Sequence, residues 1–172
     1  MIREATPDDL TAIEQLWLAL TAEMHAADAR FQLADDALTR WRNDAPHWLA
    51  ATSHGVWVVE ADAQVVGFAD AELWRPPPMY IDEAIAFINH FYVEPKDRRN
   101  GHGRGLLDRV QAWAASKQCT HLQWRTLVAN QAGRAFWRAV GGTPFTETWR
   151  YPLAEVAERE LESKVQPPLG FH

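Results

Sequence analysis

Hydrophobic positions along this chain recur with a period near 3.6 in some stretches and near 2 in others, and the switches mark out helices and strands. Ile2 opens a short strand over residues 2–4. Thr6-Pro7-Asp8-Asp9 has the form of a helix start, with Thr6 as N-cap, Pro at the first helical position and an acid at the third. Ile13, Leu16, Trp17, Leu20 and Met24 follow at helical spacing. A second helix is predicted over 35–48, with Leu38 and Trp41 on one side. Residues 55–61 and 65–74 alternate like two strands joined by a polar turn at 62–64. The Pro-rich segment 75–78 suits neither a helix nor a ladder. A central strand is predicted over 84–93. The main amphipathic helix then runs over 103–117, burying Leu106, Leu107, Val110, Trp113 and Ala114. A strand over 121–127, a helix over 130–140 and a last strand over 143–153, interrupted by Pro144, complete the order.

One helix pair, three strands, then helix, strand, helix and strand describe an α/β domain on a mixed sheet. The domain is expected over 1–153, with 154–172 as an acidic, helical tail carrying Glu155, Glu158, Glu160 and Glu162. The length of 172 residues allows one sizeable core. No apolar run approaches the roughly 18 residues of a membrane span, and Arg3, Glu4, Asp8 and Asp9 interrupt any signal-peptide core. A lone Cys119 excludes an internal disulfide, and a cytoplasmic location is expected. Net charge −6 argues against a nucleic-acid partner. The histidines show no ligand spacing, so no metal site is expected.

The chemistry concentrates in Phe91–Gly105, reading FYVEPKDRRNGHGRG. A strand runs into a basic, glycine-punctuated turn and then a helix. Unpaired amides and the positive end of the helix dipole make such a junction an anion site, suited to a pyrophosphate. A P-loop is excluded, because Gly105 is followed by Leu106 and Leu107 rather than Lys and Ser/Thr. A dinucleotide fingerprint is weak, because the glycines are spaced G-x-G-x-G and no acid follows about 20 residues on. Arg98, Gly101 and Gly103 match R-x-x-G-x-G, and Asn130 begins N-x-x-G-x-x-F-W with Gly133, Phe136 and Trp137. With both motifs in this order, the chain resembles the GNAT acetyltransferase superfamily, which uses acetyl-coenzyme A.

The resemblance implies a mostly antiparallel sheet of six or seven strands flanked by about four helices, with a splayed central strand. It implies direct acetyl transfer from acetyl-CoA to a primary amine of a small molecule in a ternary complex. Acetylation of a protein N-terminus or lysine, and a coenzyme-binding sensor without turnover, are the alternatives. By position, Phe91, Tyr92 and Val93 offer backbone to the pantetheine arm. Arg98, Arg99, Asn100, Gly101, His102, Gly103 and Arg104 cradle the pyrophosphate, and Asn130, Phe136 and Trp137 line the cofactor side. Asn130 is also a good N-cap on physical grounds.

An amine must lose its proton to attack, so a base or desolvation is needed. Glu72, Asp82, Glu83 and His90 are the candidates, and Asn89 is a candidate to hold a water, on the same strand face as Phe87 and Phe91. The family's usual Tyr acid is replaced by Trp137, which leaves water, Tyr80, Tyr92 or Tyr151 to protonate the departing thiolate. His25, Asp28 and Phe31 in the first interhelical loop, with Trp74 and Tyr80 before the central strand, are the acceptor-binding candidates. A homodimer is compatible with the pattern.

Overall fold

The computed structural model describes residues 1–81 and 83–151. Strand β1 (Ile2–Glu4) leads through a 3-10 turn (Pro7–Asp9) into helix α1 (Leu10–Ala27). Helix α2 (Ala37–Ala50) and strands β2 (His54–Ala61), β3 (Gln64–Trp74) and β4 (Ile85–Val93) follow. Helix α3 (His102–Ser116), strand β5 (His121–Trp124) and helix α4 (Gln131–Ala139) complete the elements. The strands lie in the order β1-β2-β3-β4-β5. All neighbours are antiparallel except β4 and β5, which are parallel.

Each strand alternates between two cores because successive side chains leave opposite faces of a sheet. Val56, Val58, Phe68 and Tyr92 meet Ile13, Leu16 and Trp17 of α1 and Trp41 and Ala45 of α2. Trp57, Val59, Ala69, Ala71 and Ile88 meet Leu106, Leu107 and Val110 of α3 and Trp137 of α4. This sandwich of helices on both faces is what the alternating apolar pattern requires.

Local chemistry sets the element ends. Asp9 closes a capping box with Thr6, and Arg3 grips its carboxylate at 2.7 and 2.8 Å. The capped turn is 3-10, so α1 begins at Leu10 rather than just after Thr6. The β2–β3 turn places Asp62 and Ala63 at φ +50° and +61°, the left-handed pair of a type I′ hairpin. Helix α2 tolerates Pro46 inside it and continues to Ala50, two residues beyond the expected end.

Two expectations are corrected. Strand β5 ends at Trp124 instead of Leu127, because β4, its only partner among the described residues, pairs with it no further than Ile88. The last strand expected over 143–153 does not form in its described part, 143–151, where Pro144 also removes a ladder donor. The sheet among the described residues therefore has five strands, not six or seven, beside four α-helices. Residues 141–151, a separate unit from Met1–Val140, expose Phe145, Trp149 and Tyr151. The tail 154–172 lies outside the described residues.

Candidate active site

Two departures from regular pairing build the site on β4. First, β5 accompanies β4 only along Ile85–Ile88, so residues 89–93 have no strand beside them on that edge among the described residues, where Arg98 Nε donates to Val93 O. Glu94 N–H bonds Val66 O on β3, and antiparallel alternation then turns the amides of Phe91 and Val93 toward that edge. Second, Asp70 pairs with His90 but Ala71 pairs with Ile88, so Asn89 is a bulge. The extra residue shifts the alternation. Phe91 packs with Ile88 on the α3/α4 side, while Phe87 joins His90 on the other side. The expectation that Asn89 shares a face with both Phe87 and Phe91 fails for this reason.

The bulge opens a cleft of about 410 Å³ on the α1/α2 face, lined in part by Trp48, Asp70, Glu72, Phe87, Asn89 and His90. At its base, Asp70 is 2% exposed. His90 Nδ1–H donates to Asp70 Oδ1 at 2.7 Å, and His54 Nε2 stands 3.6 Å from Asp70 Oδ2. Trp48 stacks on His54 at 6.0 Å and lies 6.1 Å from His90. Burial pushes the Asp70 pKa up, but the charge and hydrogen bond of His90, with His54 close by, outweigh it and hold the carboxyl below its ordinary value. Burial likewise works to lower the His90 pKa, and the Asp70 carboxylate overrides it and raises it. An ionised carboxylate only accepts, so His90 carries its proton on Nδ1 and leaves Nε2 as the basic atom. Sequence reasoning singled out His90 but missed Asp70 and His54. A carboxylate inside the apolar run of β3 was the available signal, since a buried charge demands partners; nothing in the pattern marked His54.

The glycine turn has the geometry of a candidate anion site. Gly101 caps α3 at φ +83°, and the first helical bond runs from Gly105 N–H to Gly101 O. The amides of His102, Gly103 and Arg104 therefore have no intrahelical partner. The glycines serve different ends. A Cβ on Gly101 would meet nothing within 4 Å, whereas one on Gly103 would press Phe136 at 3.1 Å and one on Gly105 would strike Ile2. Only Gly101 faces open space; the other two allow helix and strand packing. Arg98 turns away from the loop to grip Glu23 at 2.8 Å and Val93 O at 2.8 Å, lying over the Tyr92 ring. Arg104 reaches Asp108 at 3.5 Å, and Arg99, at φ +65°, and Asn100 are exposed.

Asn130 caps α4 by accepting from Gly133 N–H at 2.9 Å, and its amide contacts Met24 Sδ at 3.7 Å. Trp137 fills the wedge where β4 and β5 part, 4.9 Å from Phe91 and 4.4 Å from Trp124, with Phe136 at 5.0 Å.

The remaining candidates scatter. Glu83 accepts from Thr120 Oγ1 at 2.8 Å, before β4 begins. The six residue steps from Ile85 to Phe91 span about 20 Å, so Glu83 is far from Phe91. Glu72 lines the cleft opposite Phe87. Tyr92 donates to Glu23 Oε1 at 2.7 Å; burial, then Glu23, raises its pKa, which makes it a poor acid. His25 Nδ1–H donates to Phe31 O at 2.9 Å, and Asp28 pairs with Arg30 at 2.6 Å. Trp74 and Tyr80 are 41% and 65% exposed, outside the cleft lining. Asp82 lies outside the described residues.

A family model described as "Acetyltransferase (GNAT) family" matches residues 14–141. The chain belongs to the GNAT acetyltransferase family. An aminoglycoside N(6')-acetyltransferase type 1 from Stenotrophomonas maltophilia is 32% identical over 154 residues, covering 87% of this chain and 88% of that protein. The peptidyl-lysine N-acetyltransferase YiaC of Escherichia coli K12 is 30% identical over 145 residues, covering 82% of each. The fold recurs in the BH1408 protein of Bacillus halodurans, with a TM-score of 0.78 at 17% identity over 89% of this chain and 99% of that one. It recurs in AAC(6')-Iy bound to a CoA-S-monomethyl-acetylneamine bisubstrate analogue, with a TM-score of 0.71 at 22% identity over 89% and 97%. This GNAT chain is accordingly an acyltransferase, and no helix among its described residues is long and apolar enough to cross a membrane.

Proposed function

We propose that the protein transfers acetyl from acetyl-CoA to a primary amine of a small molecule by direct attack in a ternary complex, with His90 as general base. The observation that carries the reading is the adjacency, on one strand, of the Asp70-held His90 and the open backbone edge at Phe91 and Val93.

The residues fit acetyl-CoA. Three unpaired amides at the start of α3 and the open space in front of Gly101 suit a pyrophosphate. The bare edge of β4 suits an arm that pairs like an added strand. When bound, the co-substrate supplies an acyl thioester. One amide of this edge then donates to the carbonyl oxygen as charge develops on it, while the other is left to pair with the pantetheine arm. His90 Nε2 takes a proton from the incoming ammonium, and Asp70 stabilises the imidazolium. The neutral nitrogen is left to form the C–N bond as the C–S bond breaks. The indole N–H of Trp137 is far too weak an acid to protonate the thiolate, and Tyr92 is committed to Glu23, which leaves water or the exposed Tyr80 or Tyr151 to supply the proton. Phe136 packs against Phe91 on the same strand, its ring centre 5.5 Å away.

Aminoglycosides, named for the Stenotrophomonas relative, are the first acceptor class to test, with other amines beside them. The similarity to YiaC keeps a lysine side chain as the second reading. Free-thiol release from acetyl-CoA over a panel of amines and lysyl peptides decides between them. Absence of thiol release with every amine and peptide of the panel, despite tight CoA binding, would end the transferase reading of this cleft.

A further inference from the structure

We propose that the cleft floor around Phe87 is a carboxylate-reading subsite, so that the acceptor is a primary amine that also bears a carboxylate rather than a bare polycation. The proposal rests on the reading of the cleft as the acceptor site. Arg125 follows β5 and holds its guanidinium 5.4 Å from the centre of the Phe87 ring, within the cleft lining. No hydrogen bond or ion pair joins it to another described residue. Glu72 faces Phe87 in register from the neighbouring strand, half-buried, and its carboxylate likewise has no such partner among the described residues.

Phe87 is thus flanked by a half-buried negative charge on one side and an exposed positive charge on the other, neither ion-paired with another described residue. Two strand spacings, about 10 Å, separate their backbones, and the ring stands between them. Asp70 adds no free charge, because His90 and His54 already face its two oxygens. A polyamine brings several positive charges to a lining that offers one open carboxylate, and it meets repulsion from Arg125. An amino acid with a side-chain amine matches all the groups. Its carboxylate accepts from the guanidinium fork, its methylenes cover Phe87, and its terminal amine points past Glu72 toward His90.

Lysine and 1,5-diaminopentane differ only in the carboxylate. Calorimetry on the full chain with CoA present should show lysine binding at least about tenfold tighter than 1,5-diaminopentane or kanamycin, the scale of one charge-assisted pair. Arg125→Gln should bring that ratio to near one, and Arg125→Glu should invert it, with melting scans confirming that each variant is folded. Should Arg125→Glu fail to fold, Arg125→Gln decides. A preference for the polycations, a ratio that survives Arg125→Gln, or no binding of any of the three overturns the subsite. The measurement needs no turnover, so failure of His90 as base would leave the ratio intact. Failure of the subsite would leave the pH profile of His90 intact.

Discussion

His90 and Asp70 face each other across the β3–β4 ladder, Nδ1 to Oδ1 at 2.7 Å, one residue from the bulge at Asn89. A buried carboxylate in this position does two things at once. It fixes the imidazole tautomer and it raises the imidazole's affinity for a proton.

The first prediction follows from that affinity. A base must be neutral to act, so kcat/KM should climb as pH rises through the raised His90 value. His90→Gln should lower turnover at neutral pH by about 10²–10⁴-fold and recover at high pH, where the amine is already neutral. Asp70→Asn removes the anion but not the burial, so the acid limb should move to lower pH while the rate falls. A limb that stays in place in Asp70→Asn would exclude His90 as the titrating group.

The same pair stabilises the fold within a pH window. Asp70 is depressed, so its contribution is present above about 3.9 and is lost as pH falls through the folded value. His90 is raised, so its contribution is present below about 6.5 and is lost as pH rises through its folded value. The melting temperature should show an excess between those limits that Asp70→Asn abolishes. Parallel melting curves across pH 3–8 would contradict this.

The glycine turn can be dissected. Gly101→Trp should weaken CoA binding by at least about tenfold while leaving a cooperative melt, because the ring enters open space at the cost of about 1–2 kcal/mol for a left-handed residue. Gly105→Ala should instead lower the melting temperature, because its Cβ strikes Ile2. Calorimetry and thermal melts on both variants check this. Equal loss of CoA binding without loss of stability would contradict the assignment.

Ala63 sits at φ +61° in the β2–β3 turn, where an alanine is strained. Ala63→Gly should raise stability by about 1 kcal/mol, read from urea unfolding at unchanged slope. A loss of stability would mean that the turn is not type I′ in solution.

Trp137 wedges the point where β4 and β5 separate, between Phe91 and Trp124. Trp137→Ala should cost about 3–5 kcal/mol and weaken CoA binding, because the open edge loses its support. A stable variant with unaltered CoA affinity would show that the wedge is not what keeps the strands apart.

Most elements were legible because their signals are local. The amphipathic spacing of Leu106, Leu107 and Val110, the Thr6–Asp9 box and the Asn130 cap depend on neighbours within one turn of chain. The R-x-x-G-x-G and N-x-x-G-x-x-F-W motifs identified the family for the same reason. The missed features are relations between distant segments. Strand β5 stops at Trp124 because β4 leaves it, which no property of residues 121–127 records.

The amino-acid order by itself determined the succession of elements, the glycine turn at a helix start and the acetyltransferase class, since propensity, capping and backbone freedom act over a few residues. Tertiary structure decided which side chains meet. A single unpaired residue, Asn89, reverses the facing of every side chain before it relative to those after it. That reversal puts Phe87 with Asp70 and His90 in one cleft. Side-chain parity along a strand is a property of pairing with a neighbour, and pairing exists only once the sheet has formed.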